Sequence, residues 1–159
     1  MTNNGLYFSE FSVGQELETP ARTMTESDIV QFAGLSGDYN PLHTDAEFAK
    51  DTPYGERIAH GLLGLSMASG LAARAGFIEG TAQAFIGLDW KFKAPIRIGD
   101  TIRLHVTVKR KRAVPSMGGG MVVFSLEVLN QEDETTQEGE WTLLIREKAQ
   151  NGGQDVNVT

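Results

Sequence analysis

The sequence contains no cysteine. That excludes disulfides, thiolate nucleophiles and cysteine-ligated metals together, and says little about compartment. Long apolar runs are also missing. The longest, residues 61–73, is too short and too rich in small residues to span a bilayer. The opening Met1-Thr2-Asn3-Asn4-Gly5 has neither the basic nor the apolar region of a signal peptide. These absences lead to the expectation of a cytoplasmic protein with no membrane partner. Basic residues are outnumbered, 14 against 21 acidic, for a net charge of −7. A nucleic-acid partner is therefore not expected, since phosphate neutralisation needs a basic face. The 3 histidines, His43, His60 and His105, show no HExxH or other ligand spacing. No metal is expected on that basis.

What is present suits one globular domain. The 159 residues, 40% hydrophobic and 22% charged, are enough for a chain to bury roughly 68–70% of its unfolded surface. The domain is expected over residues 8–148. The tail, 149–159, is polar, Gly- and Asn-rich and aperiodic, and is expected to be disordered.

A short strand is expected near Glu16 to Arg22. Thr25 then reads as an N-cap, with Glu26 and Asp28 in a first turn where negative charge suits the helix dipole. Ile29, Val30, Phe32 and Ala33 give that helix one apolar stripe, ending near Leu35. Residues 36–41 form a loop, stiffened by Gly37 and Pro41, and a short helix is expected near Asp45 to Lys50. Residues 61–75 carry no charge before Arg74, which predicts a helix about 22 Å long and buried all round. The periodicity then becomes alternating. Strands are expected over 84–92, 101–109, 121–129 and 140–146, with turn material at 115–120 and 132–135. Met117-Gly118-Gly119-Gly120 reads as a flexible hairpin and His105 as a solvated residue on a polar strand face. One buried helix followed by an antiparallel meander is an α+β arrangement in which a curved sheet wraps the helix.

The chemistry-bearing segment runs Gly37-Asp38-Tyr39-Asn40-Pro41-Leu42-His43. A loop can fold a carboxylate and an imidazole at this spacing toward one point, and the two are suitable types for moving protons to and from a substrate. Spacing alone also leaves open a structural role, with Asp38 capping a turn and His43 packing against it.

The segment from Phe32 through Gly37, Asp38, Asn40, Pro41 and His43 to Ala49 resembles the signature of the MaoC-like dehydratases, the (R)-specific enoyl-CoA hydratases also called hydratase 2. The resemblance covers roughly residues 10–147. It implies a hot-dog fold, a long helix wrapped by an antiparallel sheet, usually as a homodimer and possibly a higher homo-oligomer. It further implies reversible hydration of a trans-2-enoyl-CoA to the (R)-3-hydroxyacyl-CoA, with Asp38 and His43 as the proton-moving pair. Gly37, Asn40 and Pro41 would support the motif. His60-Gly61 matches the family's His-Gly dipeptide, so the Gly61 N–H would hold the thioester oxygen, as a free N–H at a helix start can. Ser69 would be a substrate-side polar contact; taken alone, it reads as a helix serine bonding back to a carbonyl. No cofactor is implied beyond the coenzyme A of the substrate.

The basic residues cluster: eight of the 14 lie between Lys91 and Arg112, with only Asp100 as an acid among them. The coenzyme A phosphates would suit Lys91, Lys93, Arg97 or the run Lys109, Arg110, Lys111 and Arg112; the cluster is equally open to being a solvated strand end. Two other functions stay in view. A hot-dog thioesterase generally carries an acid on its long helix or a facing strand, and residues 61–75 have none. A non-catalytic acyl-thioester binding domain would have no need of the Asp38/His43 pair.

Overall fold

The computed structural model describes residues 5–149. The elements in chain order are β1 (Glu16–Glu18), β2 (Arg22–Thr23), α1 (Glu26–Ser36), α2 (Pro41–Thr44), α3 (Ala46–Lys50), α4 (Gly61–Ala75), β3 (Ala82–Phe92), β4 (Thr101–Val114), β5 (Gly119–Leu129) and β6 (Thr135–Arg146). The expected helices are present, the single strand expected near Glu16 to Arg22 is split into β1 and β2, and β4 and β6 run several residues further than the alternation suggested. The Asn40 side chain caps an additional helical turn, α2. Of the expected disordered tail, residues 150–159 lie outside the described residues.

The sheet is antiparallel, in the order β1-β4-β5-β6-β3, with β2 added on β4. This corrects the simple meander. The strand that follows α4 in sequence pairs with β6, the last strand, and only β4, β5 and β6 are sequential neighbours. Bulges interrupt the β3–β6 and β4–β5 ladders. They add local twist, which helps the sheet curl around α4.

The inward faces follow the alternation. Ile102, Leu104, Val106 and Val108 of β4, Val122, Phe124, Leu126 and Val128 of β5, and Trp141, Leu143 and Ile145 of β6 are all buried. They form one cluster with Leu63, Met67, Ala68 and Leu71 of α4. Each large aliphatic side chain buried there stabilises the fold by about 1.5–3 kcal/mol.

α4 is not buried all round. Its sheet-facing side is closed, but Leu62, Ser66, Ser69, Gly70 and Ala73 are exposed on the other. None of these five residues is charged, so the open face lacks the signal that normally marks one in a sequence. Two further expectations are corrected. Residues 117–120 are not a slack hairpin: a 3-10 turn over Pro115–Met117 ends at Gly118 with φ 67°, and Gly119 and Gly120 are buried in β5. A Cβ on Gly120 would strike the Phe8 ring, so close packing explains this glycine. His105 is not simply solvated, since its Nδ1 lies 2.7 Å from a Glu18 carboxylate oxygen on the neighbouring strand.

Candidate active site

The loop between α1 and α3 is built from short-range polar bonds that its sequence supplies. Gly37 ends α1 in the left-handed conformation, φ 75°, and donates its N–H to Ala33. The Asp38 carboxylate then accepts from Asn40 N (3.1 Å), and the Asn40 side chain accepts from Leu42 N (3.0 Å). Pro41 occupies the first turn of α2, where its missing N–H costs nothing. The Thr44 hydroxyl closes the turn on the Tyr39 and Asn40 carbonyls. These bonds place His43 on a one-turn helix facing inward.

The two imidazoles of the region are fixed by carbonyls. His43 Nδ1 lies 2.8 Å from the Ile58 carbonyl oxygen. A carbonyl only accepts, so Nδ1 carries the hydrogen and Nε2 of the neutral ring is left as an acceptor. Ile58 is itself bridged to Arg97, and Ala59 N donates to Ile96 O at 2.8 Å. His60 Nε2 lies 2.9 Å from the backbone carbonyl of Asp38, which by the same reasoning makes Nε2 its donor. The other His60 nitrogen, Nδ1, is buried without a hydrogen-bond partner. The rings stack with centroids 3.8 Å apart and planes at 29°, and Phe32 of α1 closes on His60 from 5.0 Å.

The structure brings Asp38, His43 and His60 together: one ligand-type atom from each lies within 4.8 Å of the others. That spacing also suits a cation, although one nitrogen of each ring is already committed to a carbonyl.

Beside the cluster is a cavity of about 450 Å³ whose wall includes His43, Tyr54, Leu62, Phe92 and Gln137, with Gly61 at the start of α4. An α-helix has no acceptor of its own for the N–H of its first residue, so the Gly61 N–H is a donor at the cavity edge. A Cβ at 61 would lie 2.8 Å from the Phe92 ring, so a side chain there would require that ring to move.

Ser69 is not drawn into this cavity. Its hydroxyl donates to Ser66 O at 2.9 Å on the open face of α4. The basic residues are also dispersed. Lys93 lines the cavity and lies 3.4 Å from Glu138. Arg97 pairs with Glu56 at 2.9 Å, and Lys109 and Arg110 both engage Glu140. Lys111 donates to the Phe8 and Phe11 carbonyls (2.8 and 2.7 Å) and sits over the Phe8 ring. Lys91 is exposed near Asp89 and Glu138, and Arg112 is exposed beside Met121. Leu104, Val128, Gln137 and Phe92 share one row across the sheet. Arg110 is six residues further along β4, about 20 Å away at strand rise.

Two contributors were not singled out as site residues in the sequence. His60 had a visible signal, the His-Gly dipeptide, but read only as a marker for Gly61. Gln137 had none, since it precedes the strand expected over 140–146, and its burial becomes visible only in three dimensions.

No helix among the described residues is long and apolar enough to cross a membrane. The family model for the MaoC-like domain matches residues 9–128. An (R)-specific enoyl-CoA hydratase from Rhodospirillum rubrum is 41% identical over 102 residues, 64% of this chain and 69% of that protein. Protein MaoC of Klebsiella aerogenes is 43% identical over 106 residues, 66% of this chain but only 31% of that longer protein. Among solved structures, a monoamine oxidase regulatory protein from Archaeoglobus fulgius superposes with a TM-score of 0.83 at 38% identity, covering 91% of this chain and 97% of that one. A double-hot-dog protein from Mycobacterium tuberculosis shares the fold at a TM-score of 0.78 and 18% identity, over 93% of this chain and 46% of that one. With the family signature matched across most of its length and the hot-dog architecture in place, this chain belongs to the MaoC-like domain family.

Proposed function

We infer that the chain is a hydro-lyase that reversibly hydrates trans-2-enoyl-CoA to (R)-3-hydroxyacyl-CoA. The observation that carries this reading is the approach of the Asp38 carboxylate to the His43 ring within 4.8 Å, beside a cavity that His43 shares with the first residue of α4. In the hydration direction the thioester carbonyl accepts from the Gly61 N–H. Electron density drawn onto that oxygen makes C3 electrophilic. Water bound between Asp38 and His43 gives up a proton to the pair as its oxygen bonds to C3, and the pair returns a proton to C2. His43 Nε2, with Nδ1 held by Ile58, has the lone pair this requires. The (R) configuration comes from the hydratase relatives. The reaction as written balances with water alone and calls for no cofactor beyond the coenzyme A already in the substrate.

Lys93, on the cavity wall, is the basic residue best placed to meet a coenzyme A phosphate. Arg97 and the Lys109–Arg112 run are committed to acids, carbonyls or a distant part of the sheet. The working unit is a homodimer. β3 is an edge strand with Phe85, Ile86 and Leu88 about half exposed. A long apolar edge of this kind calls for cover, which a second copy paired there would supply.

The test is hydration of crotonyl-CoA, followed by loss of the conjugated absorbance. Asp38→Asn and His43→Gln should each lower kcat by about 10²–10⁴-fold with unchanged circular dichroism. Full turnover by both variants would eliminate the assignment, and release of free thiol in place of hydration would mark a thioesterase.

A further inference from the structure

We propose that Gln137 is a positioning residue for the Gly61 donor, holding the first turn of α4 through a hydrogen-bonded relay that begins at Trp90 on β3. The proposal rests on the hydration reading, in which the Gly61 N–H meets the thioester oxygen. Trp90 Nε1 donates to Gln137 Oε1 at 2.9 Å, and Gln137 Nε2 donates to the Gly61 carbonyl at 3.0 Å. The direction of the amide is not arbitrary. An indole N–H can only donate and a backbone carbonyl can only accept, so both neighbours demand the same orientation.

Packing does not explain this side chain. Gln137 is 2% exposed, and a buried amide is costly unless its hydrogen bonds are made. Methionine or leucine would fill the same space without that cost. Room for the relay is made by two glycines. A Cβ on Gly64 would collide with the Gln137 amide and lie 2.7 Å from Ile96, and one on Gly139 would run into Trp90 and the Asp89 carbonyl.

What the relay supplies is direction. Gly61 has no side chain, and its backbone torsions are the least restrained of any residue type. A bond to its carbonyl anchors the peptide plane that follows its Cα and so limits how far the first turn of α4, from which its N–H projects, can shift. Donors for a developing oxyanion act through being aimed before the reaction. Gln137 also forms part of the cavity wall, so the relay ends where the substrate is expected.

The experiment compares the unmutated protein, Gln137→Met, Trp90→Phe and the double variant in crotonyl-CoA hydration, with thermal melting and dimer state measured alongside. Gln137→Met keeps the volume and removes both hydrogen bonds. Its kcat should fall about tenfold or more, as expected when a catalytic donor is misaimed, while KM moves less than about twofold. Trp90→Phe should lower kcat by a smaller factor, and that factor should vanish in the Gln137→Met background, because the indole acts only through the amide. An unchanged kcat in Gln137→Met, or single losses that multiply in the double variant, overturns the proposal. If Gln137→Met does not fold, an unchanged kcat in Trp90→Phe alone overturns it. An unmutated protein that hydrates no enoyl-CoA ester removes the hydration reading and this proposal with it. Activity in the unmutated protein that Gln137→Met fully retains removes only the proposal.

Discussion

The imidazole of His60 donates to the backbone carbonyl of Asp38 across 2.9 Å while its face lies on the ring of His43, 3.8 Å between centroids. One buried side chain therefore holds both members of the proposed catalytic pair, the carboxylate through its backbone and the imidazole through its ring. His60→Phe preserves the stack and removes the donor. It also removes the partnerless Nδ1, which offsets part of the lost bond, so stability should change by no more than about 1 kcal/mol. The kcat for crotonyl-CoA should fall about tenfold, because the Asp38 loop loses its anchor. Paired melting and kinetic measurements on this variant separate the two effects. Wild-type kcat would show that the Asx bonds of the loop alone position Asp38.

The start of α1 sets a pH dependence. Thr25 and Asp28 form a reciprocal cap, with Thr25 N and Oγ1 donating to the Asp28 carboxylate at 2.9 and 2.6 Å. Burial pushes the Asp28 carboxyl up, but the Thr25 bonds and the neighbouring Arg22 outweigh that and hold it below its usual value. A carboxyl whose pKa is lowered by folding contributes stability above its unfolded pKa, about 3.9. That contribution is lost as the pH falls through the folded value. Asp28→Ala should cost about 1 kcal/mol at neutral pH and progressively less below pH 4. Urea unfolding at pH 7 and pH 3 checks this, and an equal loss at both would rule out the charged cap as its source.

What was legible in the sequence was what short-range chemistry decides. The loop carrying Asp38 and His43 is held by bonds spanning two to five residues, so its contiguous motif contained nearly all of its structure. The inward faces of β4, β5 and β6 followed from alternation alone. The pairing of β3 with β6 did not, because nothing in either strand names its partner. Gln137 stands 76 residues from Gly61, and no local pattern connects them. The partners of the basic run were hidden for the same reason: Glu140, Phe8 and Phe11 lie on other elements.

Two glycines in helices should respond to alanine with opposite signs. Gly34 of α1 has only the Tyr39 hydroxyl nearby, 3.7 Å from a would-be Cβ. Gly34→Ala should stabilise by about 0.5–1 kcal/mol, the ordinary gain in helix propensity. Gly64 of α4 has no such room, facing Gln137 and Ile96. Gly64→Ala should destabilise by about 1–3 kcal/mol through overpacking despite the same propensity gain. Thermal melts of the two variants side by side provide the check.

The edge strand offers a direct test of assembly. Ile86 and Leu88 of β3 are 46% and 50% exposed, and a lysine at either position would place a charge where a second copy is proposed to pair. Ile86→Lys with Leu88→Lys should convert the dimer to monomer in analytical ultracentrifugation without unfolding it, since neither side chain belongs to the protomer core. A double variant that remains dimeric would move the interface to another face.

Lys93 and Lys111 are separated by what each already holds. The ammonium of Lys111 ties two N-terminal carbonyls to β4 and lies 4.4 Å from the centre of the Phe8 ring. Lys111→Ala leaves those carbonyls unpaired and should cost about 1.5–3 kcal/mol, as for hydrogen bonds to a charged group, with KM unchanged. Lys93 is half exposed, and its bond to Glu138 is loose at 3.4 Å. An exposed pair of this kind adds about 0–1 kcal/mol, so Lys93→Ala should barely alter the melting temperature. Its effect should appear in KM, raised several-fold for crotonyl-CoA but not for the pantetheine ester, which lacks the nucleotide phosphates. Equal KM changes for the two esters would place the phosphates elsewhere on the protein. A KM change in Lys111→Ala that spares the pantetheine ester would return the basic run to the site.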